Sequence, residues 1–121
     1  MNILNFEIKT EFDDSRNLRI SALSDNTEFG NVEAWFVIDE IQINNVLVEE
    51  AYRRNGIASA MLETLIGFAR KHECKKITLE VREGNTPAIE LYKKHGFKQV
   101  GMRENYYQDS HENAILMDLN L

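Results

Sequence analysis

The sequence predicts an α/β (α+β) protein with a mixed, mostly antiparallel sheet and the element order ββββ-α-β-α-ββ. Three observations support this class. Apolar residues alternate through seven short segments, two other segments have a helical period, and one helical segment lies between two predicted strands. A length of 121 residues suits one core, so we expect residues 1–121 to form a single domain.

The composition argues against several classes of protein. The net charge of −6 disfavours a nucleic-acid partner, which a basic surface would attract. The charge is uneven, because residues 1–50 carry 11 acidic and 3 basic side chains, whereas residues 51–121 carry 9 acidic and 11 basic ones. This division would suit a cationic partner on one side and an anionic partner on the other.

Membrane, disulfide and metal chemistry are not expected. There is no long apolar run, and "MNILNFEIKTEF" lacks the zones of a signal peptide, so we predict a cytoplasmic protein without a membrane partner. Cys74 is the only cysteine, which excludes an internal disulfide and a thiolate metal cluster. His72, His95 and His111 lack ligand spacing, so we expect exposed histidines and no metal site.

The first three strands are predicted from alternation. A hairpin is expected over residues 3–23, with its turn at "DDSRN". The alternating apolar positions of this hairpin are Leu4, Phe6, Ile8, Phe12, Leu18, Ile20 and Ala22. The segment "DNTEFGN" is predicted to be a loop, and "VEAWFVID" the third strand.

The fourth strand, "IQINNVLV", has an irregular pattern. Ile41 and Ile43 share one parity, whereas Val46 and Val48 share the other. A slip of one residue within a strand is what a β-bulge produces, so we predict a bulge at Asn44-Asn45.

Two helices are predicted in the second half of the chain. Residues 56–72 carry an apolar stripe of helical period, from Ile57 to Ala69. The strand "KITLEVR" follows, with Glu80 on its polar side. Thr86 as N-cap and Pro87 at the first position predict a short helix that ends near His95, before Gly96. "FKQVGM" and "NAILMDLNL" are the last two strands, and the strand–helix–strand unit predicts one parallel pair.

The start of the first helix, "AYRRNGIASA", could bind an anion. Its first N–H groups have no intrahelical partner, and the helix dipole adds partial positive charge there. Gly56 would allow close approach, Ala58 and Ser59 are small, and Arg53 and Arg54 are cationic. These features fit a pyrophosphate-like anion. They fit an ordinary glycine-containing helix start with solvated arginines equally well.

Two segments together resemble a known family. "INNVLVEEAYRRNGIASAMLETLI" is similar to the cofactor-binding motif of the GNAT superfamily of acetyltransferases, whose core is Arg/Gln-x-x-Gly-x-Gly/Ala and here reads "RRNGIA". The segment "LEVREGNTPAIELYKKHGF", followed by "GMRENYY", resembles the second motif of that family. The two segments cover about residues 39–117, and their wording looks most like the RimI-type branch, which acetylates the N-terminal amine of a ribosomal protein.

The resemblance implies an N-acetyltransferase that uses acetyl-CoA as co-substrate and moves its acetyl group directly to an amine acceptor in a ternary complex. The residues implied to bind acetyl-CoA lie on the fourth strand, in the loop with the helix start, and after the fifth strand. They are Val46, Leu47, Val48, Arg53, Arg54, Asn55, Gly56, Ile57, Ala58, Ser59 and Asn85.

The same resemblance implies the catalytic residues, with Glu80 as general base and Tyr92 as general acid. Without it, Glu80 would be interpreted as a solvated residue or an ion-pair partner of Arg82, and Tyr92 as half-buried packing. An α-amine with a pKa of about 7.7–8.0 needs only a modest base at neutral pH. Tyr106 and Tyr107 either line the acceptor site or pack.

The chain departs from the family before its second strand. Family members carry two helices there that shape the acceptor pocket, and here only a hairpin turn is predicted. We expect the acceptor to be a protein N-terminal α-amine, as the resemblance implies, and the alternative is a small amine such as a polyamine, an amino sugar or an amino acid. The uncovered surface suggests a homodimer. A non-catalytic acyl-CoA-binding module is the other class considered, although binding alone requires neither Glu80 nor Tyr92.

Overall fold

The computed structural model describes residues 5–121 and confirms the predicted order of elements. The seven strands are β1 (Glu7–Phe12), β2 (Asn17–Ser24), β3 (Thr27–Val37), β4 (Glu40–Val48), β5 (Lys76–Arg82), β6 (Lys98–Arg103) and β7 (Ala114–Asn120). The helices are α1 (Ile57–Lys71) and α2 (Thr86–Lys94), and one 3₁₀ turn spans Glu50–Tyr52. Leu4, predicted to begin the first strand's pattern, lies outside the described residues.

The strands form one mixed sheet. Their spatial order is β1-β2-β3-β4-β5-β7-β6, and the β4–β5 pair is parallel whereas the other neighbours are antiparallel. The prediction of a mixed, mostly antiparallel sheet is therefore confirmed. The parallel pair flanks α1 in the chain, as a strand–helix–strand crossover requires.

The β1–β2 connection is the predicted tight turn, and no helix replaces it. Its four residues, 13–16, are closed by Asp13, whose Oδ1 accepts hydrogen bonds from the N–H groups of Ser15, Arg16 and Asn17 at 3.0 Å. Because β1 and β2 pair directly across this turn, the two helices of the resembled family have no counterpart at this point.

The predicted loop over residues 25–31 is wrong. Asp25 and Asn26 both have positive φ, of 50° and 64°, and they close a two-residue turn that residues of these types tolerate. Strand β3 therefore begins at Thr27. It also ends two residues earlier than predicted, because Val37 pairs with Glu40 and only two residues are left to form the next turn.

Strand β4 has the predicted bulge. Glu33 of β3 pairs with Asn45 and Ala34 pairs with Ile43, so Asn44 has no opposite residue. Beyond this point β4 remains paired with β3 as far as Val48. Its pairing with β5 ends at Ile43. The bulge thus marks the place where β4 and β5 separate.

The two helices are linked by one side-chain contact, in which Ser59 Oγ of α1 lies 2.6 Å from His95 Nε2 at the end of α2. The bounds of α1 agree with the predicted 56–72 within one residue. The predicted N-cap of α2 is wrong by one position, because Asn85 and not Thr86 caps the helix. Gly96 ends α2 as predicted, with φ of 94°.

The core lies between α1 and the central strands. The helix buries six side chains along one stripe, which are Ile57, Met61, Leu62, Leu65, Ile66 and Ala69. The strand residues Ile20, Val32, Ile41, Ile77 and Met117 are fully buried. No helix within residues 5–121 has the length and apolar character that crossing a membrane requires.

Candidate active site

The separation of β4 from β5 opens a cavity of about 230 Å³ in the sheet. Its walls come from the second half of β4, from β5, from α2 with its N-cap and from the segment after β6. The lining residues are Ile43, Asn44, Asn45, Val46, Leu79, Glu80, Val81, Arg82, Asn85, Tyr92 and Tyr107. The cavity thus brings together Glu80, Tyr92 and Asn85, three of the residues that the sequence predicted to act at one site.

A second cavity, of about 540 Å³, adjoins the first. Both are lined by Ile43, Asn44, Leu79, Glu80 and Tyr107. The larger one continues over the outer strands, where Arg103, Tyr106 and Asp118 line it. The bulged Asn44 and the carboxylate of Glu80 therefore stand where a narrow space meets a wider one.

Glu80 lies on the outward parity of β5, between the buried residues Leu79 and Val81. Its Oε1 is 3.3 Å from Arg103 Nε of β6. The ion pair with Arg82 that the sequence left open is not formed, because Arg82 binds Asp109 instead. Within residues 5–121, Glu80 makes no other ion pair and no side-chain hydrogen bond, so Arg103 is the single charged partner of its carboxylate there.

Tyr92 reaches the cavity from α2. Only 6% of its surface is exposed, and its ring packs 5.7 Å from that of Phe97. Burial raises the pKa of the Tyr92 phenol to about 12. Its hydroxyl makes no hydrogen bond to any other residue in the part of the chain that the structure describes. At neutral pH it is therefore a protonated, unused donor facing the cavity.

Asn85 holds the start of α2. Its Oδ1 accepts a hydrogen bond from the Ala88 N–H at 3.3 Å, which satisfies one of the otherwise unpaired donors of the first turn. Asn85 also lines the small cavity. Sequence analysis assigned Asn85 to cofactor binding, and the structure adds a structural reason for an asparagine there.

The end of β4 supplies backbone groups to the same opening. Val46, Leu47 and Val48 pair with β3 on one side, and β5 does not reach them on the other. In an antiparallel pair alternate backbone groups point away from the partner strand. Arg53 Nε donates a hydrogen bond to Val48 O at 3.1 Å, so the first arginine of the motif folds back onto this strand.

The start of α1 is open to solvent. Gly56 is the N-cap, with φ of 74°, and no side chain caps the helix. The N–H groups of Ile57, Ala58 and Ser59 have no acceptor among residues 5–121, and the first turn contains no acidic residue. These are the conditions under which a helix start binds an anion.

The loop before this helix is shaped by its own side chains. Asn55 Nδ2 donates hydrogen bonds to Tyr52 O at 3.0 Å and to Arg53 O at 3.1 Å. Arg54 has a positive φ of 66°. The hydroxyl of Ser59 bonds His95, so only its backbone N–H is free. The loop is thus held in shape, with its backbone donors facing outward.

Sequence reasoning missed two contacts of the site. His95 was expected to be exposed like His72 and His111, but it is half-buried and bonded to Ser59. The partner of Glu80 was also missed, because Arg103 reaches it only through the pairing of β6 with β7 and of β7 with β5. No group of three or more potential metal ligands occurs within residues 5–121.

A family model described as "Acetyltransferase (GNAT) family" matches residues 4–97 of this chain. Among proteins of known name, a putative [ribosomal protein bS18]-alanine N-acetyltransferase of Bacillus subtilis is 35% identical over 83 residues, which are 69% of this chain and 55% of the relative. The [ribosomal protein bS18]-alanine N-acetyltransferase of Escherichia coli K12 is 41% identical over 85 residues, or 69% and 57% of the two chains. The chain therefore spans little more than half the length of these relatives.

Solved structures show the same fold. The ribosomal-protein-S18-alanine N-acetyltransferase of Escherichia coli superposes with a TM-score of 0.83 at 34% identity and covers 88% of this chain and 70% of its own. An acetyltransferase from Elizabethkingia anophelis with acetyl-CoA bound has a TM-score of 0.84 at 20% identity and covers 97% and 99%. The second similarity concerns the fold alone.

Proposed function

The chain belongs to the acetyltransferase (GNAT) family, and on that premise we propose that it is an N-acetyltransferase with acetyl-CoA as co-substrate. One observation supports this most directly. The opening between β4 and β5 places Glu80 and Tyr92 on the same small cavity, while the uncapped start of α1 offers free N–H groups to an anion. A carboxylate, a phenol and an anion site suit acyl transfer from a thioester that carries phosphates.

The proposed acceptor is the α-amine of a protein N-terminus. Relatives at 35% and 41% identity are named for acetylating an alanine of ribosomal protein bS18. An α-amine has a pKa of about 7.7–8.0, so a fraction is already neutral at physiological pH and one carboxylate is a sufficient base.

The site residues have the following proposed tasks. The thioester supplies an activated acetyl group when acetyl-CoA is bound. Glu80 accepts the proton of the attacking amine on its carboxylate, directly or through one water, while Arg103 holds that carboxylate in place. The backbone edge at Val46–Val48 orients the acetyl end. The loop from Arg53 to Ser59 holds the diphosphate, and Asn85 contacts the cofactor from α2.

Tyr92 donates its hydroxyl hydrogen toward the departing sulfur. A phenol with a pKa of about 12 stays protonated throughout the physiological range, so the donor is always present. A thiol of ordinary pKa, about 8.5, is the stronger acid. The main contribution of Tyr92 is therefore a hydrogen bond to the developing thiolate, and Tyr92 keeps its own proton. The thiolate takes a proton from solvent as the products separate, and Glu80 returns to solvent the proton that it removed from the amine.

An assay of thiol release from acetyl-CoA tests the function. The amine panel contains N-terminal peptides, among them that of bS18, together with polyamines, amino sugars and amino acids. We expect the wild-type protein to acetylate the bS18 peptide, and Glu80→Gln to lower kcat about 10²–10³-fold with little change in acetyl-CoA affinity. Glu63→Gln on the outer face of α1 is the matched control and should keep full activity.

The outcomes separate the candidate functions. Acetylation of only a small amine would replace the proposed acceptor but keep the chemistry. Binding of acetyl-CoA without turnover on any amine would instead identify a binding module. Tyr92→Phe with full turnover and unchanged acetyl-CoA affinity would refute the role given to the phenol.

We also propose that the protein acts in the cytoplasm as a homodimer. A ribosomal-protein acceptor of the kind named for the relatives would place the reaction there. Val100 and Met102 of edge strand β6 are 59% and 45% exposed, which is apolar surface that a second copy would cover. Light scattering across a dilution series tests the dimer, and a monomer at every concentration would contradict it.

A further inference from the structure

Residues 104–113, called here the β6–β7 loop, form part of the wall of both cavities. Tyr107 of this loop lines both the 540 Å³ space and the 230 Å³ space. Tyr106, whose ring is perpendicular to that of Tyr107 at 5.1 Å, lines only the larger one. The position of Tyr107 therefore determines where one space ends and the other begins.

A single side chain from β5 holds this loop in place. Arg82 Nη1 lies 2.9 Å from Asp109 Oδ1, and Arg82 Nη2 lies 3.1 Å from Asp109 Oδ2. Nη1 also donates a hydrogen bond to Ser110 Oγ at 3.1 Å. The same guanidinium lies 4.0 Å above the ring of Tyr107. Arg82 thus contacts the loop by a two-pronged hydrogen-bonded ion pair and by stacking on an aromatic ring.

This combination is more specific than an ordinary surface ion pair. A simple exposed pair contributes little, and here 39% of the Arg82 side chain and 69% of the Asp109 side chain are exposed. A planar fork that matches both carboxylate oxygens and also covers a ring fixes geometry, which a flexible ammonium cannot do. Hydrogen bonding from Arg82 lowers the pKa of the Asp109 carboxyl, so the pair stays charged in the physiological range.

We propose that Arg82 is a positioning residue, which holds Tyr107 as the wall that directs the amine acceptor toward Glu80. This inference rests on the function proposed above and concerns the acceptor half of that site. Arg82 acts through Tyr107, since its guanidinium is already engaged by Asp109 and Ser110. The loop is further attached by Glu112, whose Oε2 accepts a hydrogen bond from Gly84 N at 3.0 Å. The loop therefore stays folded back when Arg82 is changed, but Tyr107 is no longer fixed.

The test compares Arg82→Gln, Arg82→Lys and Asp109→Asn with Arg70→Gln, a control at an exposed arginine of α1. The acceptor is the bS18 N-terminal peptide, or the amine of the panel that is acetylated. We expect Arg82→Gln to raise the KM for the acceptor about tenfold, with kcat changed less than threefold and acetyl-CoA affinity unchanged. Arg82→Lys should not restore the KM, because the charge remains but the fork is lost.

A double-mutant cycle separates positioning from a general structural effect. If Arg82 acts through Tyr107, adding Arg82→Gln to Tyr107→Ala should raise the KM no further. Hydrogen exchange of residues 104–113 should be faster in Arg82→Gln and in Asp109→Asn, with no acceptor needed. If the Arg82→Gln enzyme is active and both its KM for the acceptor and the hydrogen exchange of residues 104–113 are unchanged, the role proposed for Arg82 is wrong, while the proposed function still stands. A wild-type protein that acetylates no amine overturns the proposed function as well.

Discussion

Replacement of Gly56 by alanine tests the anion site at the start of α1. Gly56 is the N-cap of the helix and has a φ of 74°, in the region that favours glycine. A Cβ at this position would meet no atom within 4 Å. The substitution therefore causes no clash in the free protein, but it places a methyl group beside the N–H groups proposed to receive the diphosphate.

The expected cost in stability follows from the backbone alone. A side chain in the left-handed region costs about 1–2 kcal/mol. Alanine also restricts the unfolded chain more than glycine does, and this offsets about 0.4–1 kcal/mol of that cost. The net loss of about 1 kcal/mol would lower the Tm of a domain of this size by about 4 °C. The protein should remain folded at 25 °C.

Gly56→Ala should also weaken the binding of coenzyme A, for a reason separate from its effect on stability. Close approach of phosphate oxygens to free N–H groups requires the space that the methyl group would occupy. We expect the affinity for coenzyme A to fall about tenfold, which corresponds to about 1.4 kcal/mol of binding free energy. Titration calorimetry at a fixed low salt concentration measures this, and urea unfolding of the same samples measures stability.

Gly67→Ala is the matched control. A Cβ at Gly67 would likewise meet no atom within 4 Å, but this glycine lies inside α1 and far from the helix start. This change should raise stability by about 0.5–1 kcal/mol and leave affinity unchanged. If Gly56→Ala binds coenzyme A as tightly as the wild-type protein, the diphosphate does not sit on this helix start and that assignment must be abandoned.

Three further predictions concern other parts of the molecule. Burial raises the pKa of Tyr92 from 10.0 to about 12, so the free energy of unfolding falls as the pH rises from 10 to 12, where the unfolded chain loses this proton more readily than the folded protein does. Tyr92→Phe should remove this fall, which reaches about 2 kcal/mol at pH 12, as measured by urea unfolding between pH 9 and pH 12. Asn85→Ala should cost about 1 kcal/mol in urea unfolding, whereas Thr86→Ala should cost far less, because Asn85 caps α2; equal costs would contradict the cap. Leu65 is fully buried, and Leu65→Ala should destabilise the protein by about 2–5 kcal/mol, with an unchanged stability indicating that α1 does not cover the sheet.

Much of the fold could be predicted because it depends on the pattern of apolar and polar residues within single strands and helices. The parity of Ile77, Leu79 and Val81 correctly identified the buried face of β5, and the change of parity after Ile43 correctly located the bulge. Errors occurred where two local signals compete. Thr86 and Asn85 are both good caps, and the backbone geometry decides between them. Residues 25–31 were predicted to be a loop because most of them are polar, but only residues 25 and 26 form the turn, and β2 and β3 pair on either side of it.

The candidate site was predicted in part for the same reason. Gly56 and the small residues Ala58 and Ser59 lie within one turn of the chain, and no acidic residue occurs in that turn. A helix start open to an anion could therefore be inferred from this short segment alone. The partner of Glu80 could not be predicted in this way. Arg103 is 23 positions away in the chain, and the two side chains meet only because β7 returns between their strands.

The sequence by itself determined the order of the elements, the phase slip in β4 and the exposed donors at the start of α1, because each depends on residues within one turn or one strand. The tertiary structure alone decided which charges pair, that His95 bonds Ser59, and that Arg82 holds the loop carrying Tyr107. Such contacts depend on sheet register and on where a loop returns. Many local sequences are compatible with several such arrangements, and only the packed core selects one of them.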